Sequence, residues 1–193
     1  TLFEAALAEE PKNEKIYLYL GFLYEQQRKY DKAIAVLQRG AAFSTIYADS
    51  FFFNIGNNFF AQGKNMMAVE MYSKAIEKNS MLPAAYLNRA NTWMKLESYE
   101  NALSDYKVYL QLDPSTSQRE GIERIIAILT SVIADQEAAR QAEEQQRLAE
   151  AQRQQALLNE VLNSLQNASA GTQGISAASG TIETVDEEMD IAD

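Results

Sequence analysis

Three segments of this protein line up at intervals of 35 and then 34 residues. They are "IYLYLGFLYEQQRKYDKAIAVLQRG" from Ile16, "SFFFNIGNNFFAQGKNMMAVEMYSKA" from Ser50 and "AAYLNRANTWMKLESYENALSDYKVY" from Ala84. Gly21, Gly56 and Ala90 mark both intervals, as do Tyr24, Phe59 and Trp93, and again Ala33, Ala68 and Ala102. Because every anchor shifts together, one inserted residue lies between Gly40 and Phe52, within "AAFSTIYADS". A period of this length marks an array of supersecondary units. Each is too small to bury its own apolar face, so neighbours must stack.

Each unit reads as two helical patterns joined by a short turn: "QRKYD" around Arg28, "QGKN" around Gly63 and "LESYE" around Ser98. The anchors are Tyr17, Leu20, Gly21, Tyr24, Ala33, Leu37 and Gly40 in the first unit. In the second they are Phe52, Ile55, Gly56, Phe59, Ala68, Tyr72 and Ala75. Tyr86, Arg89, Ala90, Trp93, Ala102, Tyr106, Tyr109 and Pro114 take these places in the third, where Arg89 and Tyr109 depart from the usual Leu and Ala. This set resembles the tetratricopeptide repeat. The resemblance implies an all-α fold, a right-handed superhelical stack of antiparallel helix pairs with the first helix of each pair lining a concave groove. Small residues at Gly21, Gly56 and Ala90 are expected to let the paired helices approach closely. Phe3, Ala6 and Pro11 fit the second helix of a preceding repeat over residues 1–13, ahead of three repeats at 14–47, 49–82 and 83–116.

The stretch "FFFNIGNNFF" from Phe51 reads as two interleaved stripes. Phe52, Ile55, Gly56 and Phe59 keep the i, i+3, i+4, i+7 spacing of a core face. Phe53, Asn54, Asn57 and Phe60 lie about one residue further around and are expected to face the groove. Repeat one offers Lys15, Leu18, Tyr19 and Phe22 there; repeat three offers Leu87, Asn88, Asn91 and Met94. An asparagine amide carries both donors and an acceptor, which matches a peptide backbone whatever its side chains. The competing reading is that Phe53 and Phe60 simply pack on adjacent helices. Some members of the family clamp a partner's terminal carboxylate with two asparagines and several Lys/Arg. Asn57 and Asn88 match those asparagines, but Phe53 and Ile122 stand where basic residues are required. An apolar or amphipathic peptide or helix of a partner protein is the better match.

After Pro114, with Ser115, Thr116 and Ser117 as candidate N-caps, Ile122, Ile125, Ile126, Leu129, Val132 and Ile133 form one stripe. It resembles the helix that caps the last repeat, over 117–134. The helical pattern runs on through an Ala/Gln/Glu-rich arm, 135–166, made of strong helix formers. An apolar seam forms there from Leu148, Ala151, Leu158, Leu162 and Leu165, flanked by Leu157 and Val161. Such a seam calls for a mate: a second copy in a coiled coil, a foreign helix, or the protein's own groove. Residues 167–193 turn to Gly/Ala/Ser/Thr and then acid, the composition of a flexible acidic tail. Its end, "IETVDEEMDIAD", is a candidate docking peptide.

With no His and no Cys in 193 residues, the commonest general base, zinc ligands, thiol nucleophiles and disulfides are all excluded. No paired-carboxylate motif stands out, so neither catalysis nor a metal or other cofactor is expected. The net charge of −10 is uneven: −1 over residues 1–116, −3 over 117–166 and −6 over 167–193. No basic stripe suits nucleic acid, and no apolar run reaches the roughly 20 residues of a membrane span. The sequence opens at Thr1 inside a structural unit. That start is compatible with a removed leader or anchor, so the location stays open between a bacterial envelope or periplasm, towards which the reading leans, and the cytoplasm. Two function classes follow. One is a peptide-binding scaffold or adaptor with a helical arm for assembly; the other is a structural homo-oligomer whose own arm or tail fills the groove.

Overall fold

The computed structural model describes residues 2–178, with side chains described over 5–169. The helices are α1 (Leu2–Glu9), α2 (Glu14–Gln26), α3 (Tyr30–Ala41), α4 (Ala48–Ala61), α5 (Asn65–Lys78), α6 (Pro83–Lys95), α7 (Tyr99–Leu112) and α8 (Arg119–Ala178). No strand occurs among the described residues. The pairs α2/α3, α4/α5 and α6/α7 stack as a solenoid, closed by the start of α8. The protein divides into two compact units between Gln136 and Glu137.

All three intra-pair turns are built alike. Arg28, Gly63 and Glu97 hold left-handed backbone, with φ of 56°, 72° and 55°. The amides of Lys29, Lys64 and Ser98 donate back to the carbonyls of Tyr24, Phe59 and Trp93 at 2.8, 2.9 and 3.0 Å. These are the six-to-one bonds of a Schellman ending, which satisfy carbonyls that a helix end leaves orphaned. Only the second turn uses glycine; Arg28 and Glu97 hold the same left-handed backbone as exposed residues. The longer loop, 42–47, holds the inserted residue. It is tied down by Glu14, whose carboxylate accepts from the Ser44 hydroxyl and from the amides of Thr45 and Tyr47. The Ser44 hydroxyl, then these amides, hold Glu14 below the usual carboxylate range.

The small anchors do what their spacing predicts. A methyl at Gly56 would sit 2.6 Å from Cε1 of Tyr72, so α4 and α5 could not keep their separation with any other residue there. The buried stripe of α4, however, is only in part the expected one. Ile55 and Gly56 are buried as expected, but the other buried residues are Phe51 and Asn58, whereas Phe52 and Phe59 are partly buried against the same cluster. Each first helix packs on the preceding repeat as well as on its own partner, which widens the buried arc toward Phe51. A side chain at Gly40 would run into the Phe51 ring, and Tyr17 closes the same contact.

At the far end of this unit, Ile122 and Leu129 are buried and Ile125 and Ile126 partly so, against Ala90, Ala102, Tyr106 and Tyr109. Ile122 is therefore a core residue. None of Ser115, Thr116 and Ser117 directly precedes the helix, which starts at Arg119. The Thr116 hydroxyl instead pairs with Tyr109 Oη at 2.7 Å and accepts from the Gln118 amide.

Beyond Gln136 the side chains of α8 are exposed through Ser169. The helix does not give way to a flexible segment at 167; it continues to Ala178. Extending an existing helix needs no new nucleus, so moderate formers suffice. The rest of the acidic tail, residues 179–193, lies outside the described residues. With it lies all of "IETVDEEMDIAD", the docking-peptide candidate.

Candidate groove site

The first helices α2, α4 and α6 supply the groove positions. Tyr19 and Phe22 of α2 are 58% and 55% exposed, while Leu18 is partly buried against the N-terminal core. Phe53 is partly buried, its ring centroid 5.9 Å from that of Tyr72. Leu87 and Met94 are also partly spent, packing on the C-terminal core.

Asn57, Phe60, Asn88 and Asn91 come together with Tyr72 around a cavity of about 190 Å3. Four of these five were legible from helix spacing. Tyr72, on the second helix, was read only as a core residue. It is indeed nearly sealed, 1% exposed, but its hydroxyl donates to Asn57 Oδ1 at 2.9 Å. Asn88 Nδ2 donates to the same oxygen at 2.9 Å, and one repeat on, Tyr106 donates to Asn91 Oδ1 at 2.7 Å. Burial pushes both tyrosine hydroxyls up, so they stay protonated donors at neutral pH.

These bonds orient the amides. Asn57 and Asn91 have their oxygens engaged and keep Nδ2 for a ligand; Asn88 keeps Oδ1. The site therefore offers donor, acceptor and donor, rather than a full amide from every asparagine. Asn54 departs from the expected ladder, because its Nδ2 donates to the Ser50 carbonyl of its own helix at 2.7 Å.

Two polar residues escaped the sequence reading. Asn58 is fully buried; its Nδ2 donates to the Asn54 carbonyl at 2.8 Å and to Glu25 Oε2 at 3.3 Å, and its Oδ1 has no partner among the described residues. Glu25 lies in the last turn of α2, at the repeat position of Phe60 and Met94, so repeat alignment could have flagged it. Burial pushes its carboxyl up, with the Asn58 bond only partly offsetting this. A raised carboxyl disfavours the folded state when ionised. The protein thus gains stability from Glu25 as pH falls through its raised value toward the ordinary 4.5. Glu25→Gln keeps an acceptor for Asn58 and is expected to melt higher than wild type at pH 7. Melting curves should converge below about pH 4.5; a constant gap would deny Glu25 this role.

In the arm, Leu148, Leu157, Leu158, Val161, Leu162 and Leu165 are 47% to 62% exposed, and Ala151 is exposed too. Among the described residues no cluster of His, Cys, Asp or Glu could hold a metal ion, and no helix is long and apolar enough to cross a membrane.

Family models described as tetratricopeptide repeat match residues 1–43 and 53–116. The protein is similar to human Tetratricopeptide repeat protein 12, 43% identical over 58 residues, which are 30% of this sequence and 8% of that protein. It is also similar to Hsp70-Hsp90 organizing protein 3 of Arabidopsis thaliana, 35% identical over 91 residues, 47% of this sequence and 14% of that protein. It thus spans a small part of the length of these relatives. Among solved structures, the first repeat domain of Spaghetti (RPAP3) bound to HSP90 peptide SRMEEVD superposes with a TM-score of 0.56 at 23% identity. That match covers 63% of this protein and 93% of that one.

Proposed function

Since the protein belongs to the tetratricopeptide repeat family, we propose that its groove binds a peptide or helical segment of a partner protein, without catalysis. The observation that carries this reading is the Asn57–Asn88–Asn91 cavity, where three oriented amides leave two donors and an acceptor unspent beside Phe60 and Phe53. The carbonyls and amide N–H groups of a peptide backbone complement that pattern, and the aromatic rings take apolar side groups between them. Spaghetti (RPAP3) holding an HSP90 peptide is a precedent for peptide binding on this fold. The ligand here differs in kind, because Phe53 and the buried Ile122 replace cations that a terminal carboxylate needs. Asn57→Ala with Asn88→Ala is expected to abolish partner capture from an extract. Asn88→Ala alone is expected to weaken capture while melting stays within about 0.5 kcal/mol of wild type. Undiminished capture by the double variant would remove the groove from the function.

The exposed leucine face of the arm favours a second element of this reading, assembly with another copy through residues 148–165. Light scattering is expected to give a mass above 21.7 kDa for the full protein and monomer mass for a version ending at Ala134. Two monomers would end that part of the reading and, with it, the structural homo-oligomer.

A further inference from the structure

Across the three first helices, the groove positions are occupied by Leu18, Tyr19, Phe22 and Glu25, then Phe53, Asn54, Asn57 and Phe60, then Leu87, Asn88, Asn91 and Met94. Of these twelve only Glu25 is charged; Lys15, one turn before Leu18, is the other charged residue expected on this face. Among the described residues Glu25 has no ion pair, and its sole hydrogen bond is the 3.3 Å contact from Asn58 Nδ2. Its position works against it in two further ways. It stands in the last turn of α2, where the helix dipole already presents negative potential. It also adjoins the fully buried Asn58, whose Oδ1 lacks any donor, so acceptors outnumber donors at this point. Its bond from Asn58, the residue next to Asn57 on α4, ties it to the helix that lines the amide-bearing cavity.

A partly buried carboxylate without a counter-charge costs stability and persists where function uses it. We propose that the groove takes a basic side chain of its partner, a lysine ammonium or an arginine guanidinium, at Glu25, next to the Asn57–Asn88–Asn91 cavity. The proposal rests on the groove being the partner site. The occupant is a segment with one Lys or Arg followed by apolar residues, the cation meeting Glu25 and the apolar residues meeting Phe22, Phe53 and Phe60. A carboxylate-ended segment would be repelled at the same spot. The preferred charge is thus the reverse of what a carboxylate clamp selects.

The test uses the full protein as bait for a display library of random heptapeptides, at raised salt so that distant acidic residues are screened. Wild type is expected to enrich Lys or Arg beside apolar residues, and Glu25→Gln is expected to lose that enrichment. Peptides selected on wild type should bind the Gln variant roughly ten-fold or more weakly, as expected for a lost charge-assisted contact. Equal basic enrichment on both baits, acidic enrichment, or no enrichment would each overturn the proposal. Asn57→Ala with Asn88→Ala separates the two levels. Peptides that need these asparagines but ignore Glu25 sink only the cation subsite. Peptides that ignore the asparagines as well sink the groove reading with it.

Discussion

Replacing Arg89 with leucine is expected to lower the unfolding free energy by about 3–5 kcal/mol, although leucine is the residue this repeat usually carries there. Nε and Nη2 of Arg89 donate to the two oxygens of Asp105 at 2.8 and 2.7 Å, and Nη1 donates to Ser73 Oγ at 2.9 Å. The guanidinium thereby joins α6 to α7 and to α5 of the preceding repeat. Asp105 is 4% exposed, so its carboxylate, stripped of the guanidinium, would be left buried and unpaired. The remedy is written in the other repeats. Arg89 aligns with Leu20 and Ile55, and Asp105 with Val36 and Met71, so the third repeat exchanges an apolar pair for an ionic one. Arg89→Leu combined with Asp105→Val should therefore recover most of the loss, because removing both charges of a buried pair is close to neutral. Urea denaturation of the two single variants and the double closes the cycle. A double variant as unstable as the sum of the singles would show that the pair is not acting as a unit.

Phe51→Ala should cost a comparable 3–5 kcal/mol or so, about the usual loss for a buried ring, and Phe53→Ala, two residues on, less than half of that. The three consecutive phenylalanines do different jobs. Phe51 is fully buried, seated over Gly40 of α3 and against Tyr17, so its ring joins repeats one and two. Deleting it opens a cavity at an inter-repeat contact that neighbouring rigid helices cannot collapse into. Phe53 is partly exposed and leans on Tyr72 at a tilt of 48°, so its removal forfeits one ring contact and little sealed volume. Thermal and chemical denaturation of both variants measure the difference. Equal losses would mean that Phe53 belongs to the core and that the groove is narrower than proposed.

Sequence periodicity exposed much of this because it is a local property. The intervals of 35 and 34 residues identified the helix pairs, the turn positions and the close approach at Gly56. Helical spacing also separated Asn57, Asn88, Asn91 and Phe60 from the core stripe without any structure. The reading failed where a residue has two neighbours at once. Phe51 was missed because its cavity belongs to the preceding repeat, and Asn58 because a polar residue on an apolar face breaks the pattern used to find that face. Glu25 was missed because the groove set of repeat one ran from Lys15 to Phe22, one turn short of the position that aligns with Phe60 and Met94, and a single carboxylate carries no period. The tail boundary at 167 rested on composition, which does not register that a running helix extends cheaply.

By itself, then, the sequence determined the stack: which segments are helices, how they pair, and which helix faces are left over from the core. Only the tertiary structure decided how those faces are used. Tyr72 turns the Asn57 amide outward by its nitrogen, Asn58 reaches Glu25 across a repeat boundary, and Arg89 finds Asp105 and Ser73. The physical reason is one of range. Backbone helix formation depends on residues three and four apart, whereas these polar bonds join side chains 15 to 33 residues apart. Those partners are chosen by packing distance and by the cost of leaving a buried donor or acceptor unpaired.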